Sequence, residues 1–242
     1  MTSTSSIALV TGASSGIGEA ICRLLVAQEY RVIGAARNEA KLQTLVAELG
    51  QSFHPLVLDV DNADLVASLL DHLPAELHGI DVLINNAGHD IGGRRSFEEG
   101  TAAQWDHIIE TNVQGLMRVT HAVIDGMLER GQGHILNMGS ITGIKPYATM
   151  AAYVSSKYAV HGFSEVLRLD YAGKGIRVSE IMPGLVRTEF VGTRLGDADK
   201  AEAFYDSFEQ ALAPEDIAQT VLFALQQPRH VEIAQLVVLP VS

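Results

Sequence analysis

Short apolar runs alternate with longer amphipathic stretches along the whole chain. The short runs have the length and continuous hydrophobicity of buried strands, and seven are predicted, over residues 7–11, 31–36, 55–59, 81–85, 133–139, 175–182 and 235–239. In the longer stretches apolar residues recur at spacings of three and four, which is typical of a helix with one buried face. Helices are predicted over residues 17–28, 39–49, 63–73, 103–129 and 151–171, and after Pro214, a residue that suits the first turn of a helix.

This alternation predicts an α/β fold, a Rossmann-type doubly wound parallel sheet of about seven strands with helices on both faces. No repeat or linker interrupts it, so residues 1–242 are expected to form a single domain. The polar segment 189–210 lacks the pattern and is expected to act as a lid. Four residues on apolar stripes are expected in the core: Cys22, Trp105, Met117 and Met127.

Composition narrows the possible partners. A length of 242 residues with 47% hydrophobic residues supports a sizeable core, and a formal net charge of −12 disfavours nucleic acid and anionic membrane surfaces. The single cysteine leaves no pair for a disulfide and no cluster for zinc, which favours a reducing compartment. Neither a secretory signal nor an apolar run of membrane-spanning length is visible, so we expect a cytoplasmic protein that binds a small molecule and no metal.

A glycine-rich turn joins the first predicted strand to the first helix. It contains Gly12, Ser14, Ser15, Gly16, Ile17 and Gly18. Glycines at such a turn let the backbone approach a pyrophosphate closely, and the helix N-terminus offers free N–H groups to the phosphates. The alternative is an ordinary flexible turn, but its place between strand and helix favours dinucleotide binding.

The end of the second strand indicates which dinucleotide is bound. NAD-selective folds usually carry an acidic residue there, whereas this chain has Ala36 followed by Arg37. An arginine can pair with the 2′-phosphate of NADP. We therefore expect NADP, with NAD less favoured, although Arg37 could also be a solvated residue beside Glu39.

Tyr153 and Lys157 are four residues apart on a predicted helix and so share one face. Hydride transfer from a carbinol carbon needs a group that takes the hydroxyl proton, and a phenol with a lysine ammonium nearby can do this. Ser140 ends a strand, where α/β sheets place their ligand crevice, and its hydroxyl can bond the substrate oxygen.

The order and spacing of these motifs resemble the short-chain dehydrogenase/reductase family over essentially the whole chain. The motifs are T-G-x-x-x-G-x-G from Thr11, Asp59, Asn85-Asn86-Ala87-Gly88, Asn112, Ser140, Tyr153-x-x-x-Lys157, and Pro183-Gly184 with Thr188. Within the family, residues 32–42, with Arg37, and residues 137–140 and 236–241 look most like bacterial NADP-dependent 3-hydroxy acid (serine-type) dehydrogenases.

The resemblance implies a role for each matching residue. Asn112, Ser140, Tyr153 and Lys157 would be catalytic, with Ser140 positioning the substrate and Asn112 holding a water that links Lys157 to solvent. Asp59 would accept from the adenine amino group. The further cofactor contacts implied are Val60, Asn86, Ala87, Gly88, Tyr153, Lys157, Pro183, Gly184 and Thr188. The family commonly forms dimers and tetramers, so a homo-oligomer, a homotetramer in particular, is expected.

Two arginines on a glycine-rich loop favour an anionic substrate. Arg94 and Arg95 follow the fourth strand, and Arg187 lies at another edge of the expected pocket, where guanidinium groups could hold a carboxylate or sulfonate. Tyr147 and His89 are further candidates for the pocket lining. A solvated loop serving solubility or a subunit contact is an equally good reading of either Arg94 or Arg95.

The function predicted is hydride transfer between NADP(H) and a small hydroxy or oxo compound bearing an acid group. A reductase of neutral ketones or 3-oxoacyl thioesters is the alternative. A protein that binds NADP without turnover is disfavoured because Ser, Tyr and Lys are all present. A hydrolase or metalloenzyme is also disfavoured, and the chain has no paired histidines at metal-ligand spacing.

Overall fold

A computed structural model describes residues 5–208 and 210–241 and contains the predicted parallel sheet. Its strands are β1 Ile7–Thr11, β2 Arg31–Ala36, β3 Phe53–Val57, β4 Val82–Asn85, β5 Gly133–Met138, β6 Ile176–Pro183 and β7 Gln235–Val238. Their spatial order is β3-β2-β1-β4-β5-β6-β7, and all neighbouring pairs are parallel. The order reverses between β1 and β4, and this is where a doubly wound sheet opens a ligand crevice at the carboxyl ends of its strands.

The third strand was predicted over residues 55–59, but β3 spans Phe53–Val57 and so includes Pro55 in its interior. Proline lacks the N–H of a regular ladder, but β3 lies at the edge of the sheet and pairs only with β2 within the described residues, so the missing donor is tolerated.

The helices lie on both faces of the sheet. They are α1 Gly16–Ala27, α2 Glu39–Leu49, α3 Ala63–Ala67, α4 Ala102–Ile109, α5 Leu116–Arg130, α6 Ala151–Asp170, α7 Phe190–Leu195, α8 Ala198–Asp206 and α9 Pro214–Leu225. Pro214 occupies the first turn of α9, as predicted.

Two predicted helices are interrupted. The helix expected over residues 103–129 is α4, a π-helical turn over Glu110–Gly115, and α5. The apolar stripe continues through the π turn, so its periodicity could not reveal the wider turn. The helix expected over residues 63–73 is α3 followed by a 3₁₀ turn over Leu69–His72; between them the Ser68 hydroxyl donates to the Asp64 carbonyl at 3.0 Å.

Apolar side chains form one cluster on each face of the sheet. Cys22 belongs to the cluster beneath α1 and α9, Met127 belongs to the cluster beneath α5, and both are fully buried, as expected. The core prediction was wrong for Met117, which is 38% exposed, and for Trp105, which is only half-buried and stacks on Phe97. Both lie at the edge of an apolar stripe, a position that periodicity alone does not resolve.

Most of the polar segment 189–210 is helical in its described residues; Glu209 lies outside them, and a role as a lid stays a prediction. Its helices α7 and α8 share a small core of Val191, Ala201 and Tyr205. The Tyr205 hydroxyl lies 3.0 Å from the Val186 carbonyl and accepts from the Thr188 N–H at 3.1 Å. The segment is thereby anchored to the end of β6. Within residues 5–208 and 210–241, no helix is both long and apolar enough to cross a membrane.

Candidate active site

A cavity of about 680 Å³ lies at the carboxyl ends of the strands. It brings together most of the residues singled out in the sequence: Gly12, Ser14, Ser15, Gly16, Ile17, Arg37, Asp59, Val60, Asn86, Ala87, Gly88, Ser140, Tyr153, Lys157, Pro183, Gly184 and Thr188. Gly18 and Asn112 are not among the residues that line it.

The glycine turn is shaped for close approach of a phosphate group. Gly12 and Gly16 have positive φ angles of 66° and 53°, which favour glycine. A Cβ at Gly18 would lie 2.2 Å from the Gly12 carbonyl oxygen, so the third glycine is required for packing of α1 against the turn. Ser15 provides no side-chain cap to α1, which leaves first-turn N–H groups for a pyrophosphate.

The turn after β1 is fastened to the turn after β4. The Thr11 hydroxyl accepts from the N–H groups of Asn86 and Ala87, each at 3.0 Å. The Asn86 amide donates back to the Thr11 carbonyl at 3.0 Å. These bonds connect the two walls of the crevice.

The residues at the adenosine end of the cavity fit NADP. Arg37 is the first residue after β2; it is exposed and lines the cavity beside Ala36. No acid stands at the strand end to repel a 2′-phosphate. Asp59 is half-buried on the adjacent wall, where its carboxylate accepts from the Asp61 N–H at 3.2 Å.

Tyr153, Lys157 and Ser140 meet at the opposite end of the cavity. The Lys157 ammonium lies 5.7 Å from the centroid of the Tyr153 ring and donates to the Met138 carbonyl at 2.8 Å. Burial raises the pKa of Tyr153 to about 12, whereas the charge of Arg194 and a hydrogen bond with Ser140 oppose that rise. Burial also lowers the pKa of Lys157 to about 8. The phenol, the hydroxyl and the amine therefore share one low-dielectric corner.

Asn112 lies in the π-helical turn and fixes the loop after β4. Its amide oxygen accepts from the His89 N–H and its amide nitrogen donates to the His89 carbonyl, both at 2.9 Å, and the same nitrogen donates to the Ser156 hydroxyl at 3.1 Å. Its side chain is thus engaged by protein groups, and the water-holding role stays a prediction. His89 lines the cavity, and burial lowers its pKa to about 4.

Two residues that the sequence did not single out border Tyr153. Arg194 of α7 lines the cavity with its guanidinium carbon 5.8 Å from the Tyr153 ring centroid and 5.2 Å from the Phe190 ring centroid. Its Nε lies 2.7 Å from Oδ2 of Asp90, and the two side chains are only 9% and 5% exposed. Arg194 lies in a polar segment without a clear apolar pattern, so its burial could not be predicted from the sequence.

Only some of the predicted substrate residues lie at the cavity. Arg94 and Tyr147 line the cavity, and the Arg94 guanidinium lies 5.9 Å from the Phe204 ring centroid. Arg95 does not line it. Arg187 lies outside it and forms ion pairs with Glu202 at 2.7 Å and Asp206 at 3.3 Å, which tie the loop after β6 to α8.

Comparison with known proteins agrees with this geometry. Residues 6–198 match the family model described as short chain dehydrogenase. The chain is 42% identical over 238 residues to the NADP-dependent 3-hydroxy acid dehydrogenase of Escherichia coli K12, covering 98% of this chain and 95% of that protein. It is 34% identical to the serine 3-dehydrogenase of Agrobacterium fabrum, covering 97% and 93%. A solved structure described as the closed form of serine dehydrogenase complexed with NADP+ superposes with a TM-score of 0.92 at 42% identity, covering 96% of this chain and 93% of that one.

Proposed function

The chain belongs to the short-chain dehydrogenase family, and from that premise we propose that it oxidises a small 3-hydroxy acid, or a related sulfonate, and reduces the matching oxo acid. It is an NADP-dependent oxidoreductase that acts on hydroxyl groups. When bound, NADP+ takes up the hydride from the carbinol carbon. The predicted family and the predicted cofactor are confirmed, whereas the roles of the glycine turn and of Arg37 stay predictions.

Tyr153, Ser140 and Lys157 are proposed to transfer the hydroxyl proton and to stabilise the charge on the phenolate. In the oxidative direction the Tyr153 phenolate takes the substrate hydroxyl proton as the carbon–hydrogen bond breaks, and in the reductive direction it returns that proton. Ser140, whose hydrogen bond to Tyr153 lowers the pKa of the phenol, is placed to bond the same substrate oxygen. The buried Lys157 ammonium favours the charged phenolate through its positive field.

The observation that carries the choice of substrate is the buried Arg194 guanidinium beside Tyr153. Arginine has five N–H donors, and pairing of Nε with Asp90 leaves others for a ligand. A carboxylate attached a few bonds from the reacting hydroxyl could receive a forked contact from Arg194 while the hydroxyl reaches Tyr153. Asp90 keeps the buried guanidinium compensated when no anion is bound.

The experiment is a substrate panel on the wild type and on a charge-neutral variant. The panel contains 3-hydroxy acids, 2-hydroxy acids, small sulfonates, neutral ketones and 3-oxoacyl thioesters, with NADP(H) and NAD(H). The variant Arg194→Met with Asp90→Asn removes both charges, so neither position keeps an uncompensated buried charge. We expect it to lower kcat/KM for the acid by about one to two decades, the loss of a charge-assisted contact worth roughly 1.5–3 kcal/mol, and to spare a neutral ketone.

Two outcomes would contradict the proposal. A wild type that prefers neutral ketones or thioesters would favour the alternative substrate class. A variant that loses acid and neutral substrates to the same extent would show that Arg194 supports the fold of the site rather than selecting the anion.

We also propose that the chain assembles as a homo-oligomer, a homotetramer in particular. Tyr158, Val166 and Leu169 leave apolar surface exposed on α6, and Leu169 is 77% exposed. Light scattering after size exclusion tests the assembly state, and Leu169→Glu should shift it toward the monomer. Residence in the cytoplasm stays a prediction.

A further inference from the structure

A row of ionisable residues continues past the catalytic pair on α6. Tyr153, Lys157 and His161 follow at intervals of four residues, so they share one face of the helix. His161 lies one turn beyond Lys157, and its side chain is 21% exposed. It therefore connects the buried end of the row with solvent.

Glu180 of β6 faces this row and is fully buried. Its Oε2 lies 2.8 Å from Nδ1 of His161. Its Oε1 has no hydrogen-bond partner among the described residues, although a buried carboxylate oxygen without a partner is costly. A Cβ at Gly139 would lie 2.3 Å from this Oε1, so the unpartnered oxygen rests against the backbone at the end of β5.

The Lys157 ammonium approaches the same point. It donates to the carbonyl of Met138, which precedes Gly139 in the chain. The ammonium and the free carboxylate oxygen thus converge on one peptide unit. Both groups are buried, and their opposite charges attract each other.

Other charged groups lie near this pair within the described residues. Arg168 of α6 and His161 act on Glu180 together with Lys157. The charge of Lys157 acts on His89, which follows β4, and Glu165 lies 3.9 Å from the outer nitrogen of His161. Burial raises the pKa of Glu180 and His161 lowers it, whereas burial lowers the pKa of Lys157 and Glu180 raises it.

We propose that Glu180, held by His161, is the buried counter-ion that keeps Lys157 protonated at the active site. Glu180 is a positioning residue, since it acts on the reaction only through Lys157. Without its carboxylate, the buried amine would lose its proton at a lower pH, and Tyr153 would lose the positive field that favours the phenolate. Glu180 thereby extends the pH range in which Lys157 is protonated, and the enzyme active, toward alkaline pH.

The direct test measures the pKa of Lys157 in the protein without substrate. The chain has five lysines, so their ¹³Cε signals can be followed by NMR during a pH titration, and Lys157→Arg identifies the signal of Lys157. We expect Glu180→Gln to lower that pKa by roughly one to three pH units, the usual effect of removing a nearby opposite charge. An unchanged pKa in a folded Glu180→Gln variant would overturn the proposal.

A matched pair at position 161 keeps the proposal testable if Glu180→Gln does not fold. In His161→Asn the amide nitrogen can replace Nδ1 as donor to Glu180, whereas His161→Leu removes the donor and favours a protonated, neutral Glu180. We expect the leucine variant to lower the pKa of Lys157 and the asparagine variant to retain it. Equal values in the two variants would contradict the proposal.

The rate profile provides a second readout with cofactor and whichever substrate of the panel turns over. The alkaline limb of kcat should move to lower pH in Glu180→Gln and His161→Leu, and stay in place in His161→Asn. Because this result does not depend on which substrate class is turned over, its failure is distinct from failure of the acid-substrate proposal.

Discussion

Arg194 and Asp90 form a buried ion pair, with Nε and Oδ2 2.7 Å apart, that joins helix α7 to the loop after β4. The two segments come from distant parts of the chain, and both border Tyr153. Removing one partner of such a pair leaves an uncompensated buried charge, which is strongly destabilising. The pair therefore fixes the position of α7 at the end of the cavity that holds Tyr153 and places a cation there.

Tyr153→Phe tests the proton-transfer group. The variant should abolish turnover and leave the Kd for NADP(H) within a few-fold, because the hydroxyl acts chiefly in the transition state. Cofactor binding is measured by fluorescence titration and turnover by NADPH absorbance. Near-normal turnover would exclude Tyr153 as the proton-transfer group.

Arg37→Asp tests the choice between NADP and NAD. The substitution places a like charge beside the 2′-phosphate, so the Kd for NADP(H) should rise more than the Kd for NAD(H). Arg95→Asp makes the same charge change outside the cavity and should leave both values close to wild type. If Arg37→Asp raised both constants equally, Arg37 would be no more than a surface residue.

Arg94 and its neighbour Arg95 provide a matched comparison for substrate charge. Only Arg94 lines the cavity, and it is exposed, so its contact with an anion is worth about 1 kcal/mol. Arg94→Ala should therefore lower kcat/KM for the acid roughly fivefold and leave a neutral ketone unchanged. Arg95→Ala and Arg187→Ala should match the wild type on both substrates. Equal effects of all three variants would favour a general surface-charge effect.

Tyr205→Phe tests the anchor of the segment between β6 and α9. The variant leaves the Thr188 N–H and the Val186 carbonyl without the Tyr205 hydroxyl, which should lower the free energy of unfolding by about 1–3 kcal/mol. Urea denaturation measures that loss. Because Thr188 lines the cavity, weaker NADP(H) binding should accompany it. Unchanged stability and affinity would show that α7 and α8 hold their place without this anchor.

His134 and His89 should make the fold sensitive to acid. Burial lowers the pKa of His134 to about 3 and that of His89 to about 4. In the unfolded chain both return to about 6.5, so below that pH the unfolded state binds protons that the folded state excludes. Stability should thus be unaffected by these groups above about pH 6.5 and fall by up to roughly 1.4 kcal/mol per pH unit for each histidine down to their folded pKa values.

Denaturation series between pH 7 and pH 4.5 measure this slope. His134→Gln retains a polar partner for the Ser179 hydroxyl, which lies 2.8 Å from Nε2 of His134, and should flatten the slope. An unchanged slope in that variant would show that His134 is not among the titrating groups.

The sequence by itself determined the layered α/β fold, the family and the cofactor. Strands and amphipathic helices can be recognised from the spacing of apolar residues within each segment. The glycine turn and the Tyr153–Lys157 spacing can likewise be recognised within a few consecutive residues. The parallel order of the sheet then brings the strand ends together, because a doubly wound fold leaves few other arrangements. The position of Arg37 at the cofactor end of the sheet could also be predicted, since Arg37 directly follows a strand.

Only the tertiary structure decided which cations face the substrate end of the cavity. Arg94, Arg95, Arg187 and Arg194 are alike in sequence, yet Arg194 alone of these is buried, Arg94 lines the cavity while exposed, and Arg187 is paired with α8. The partners of Arg194, Asn112 and Glu180 are distant along the chain: Asp90, His89 and His161. Burial and pairing depend on contacts between remote segments, and those contacts, rather than local pattern, set the charge and the pKa of each group at the site.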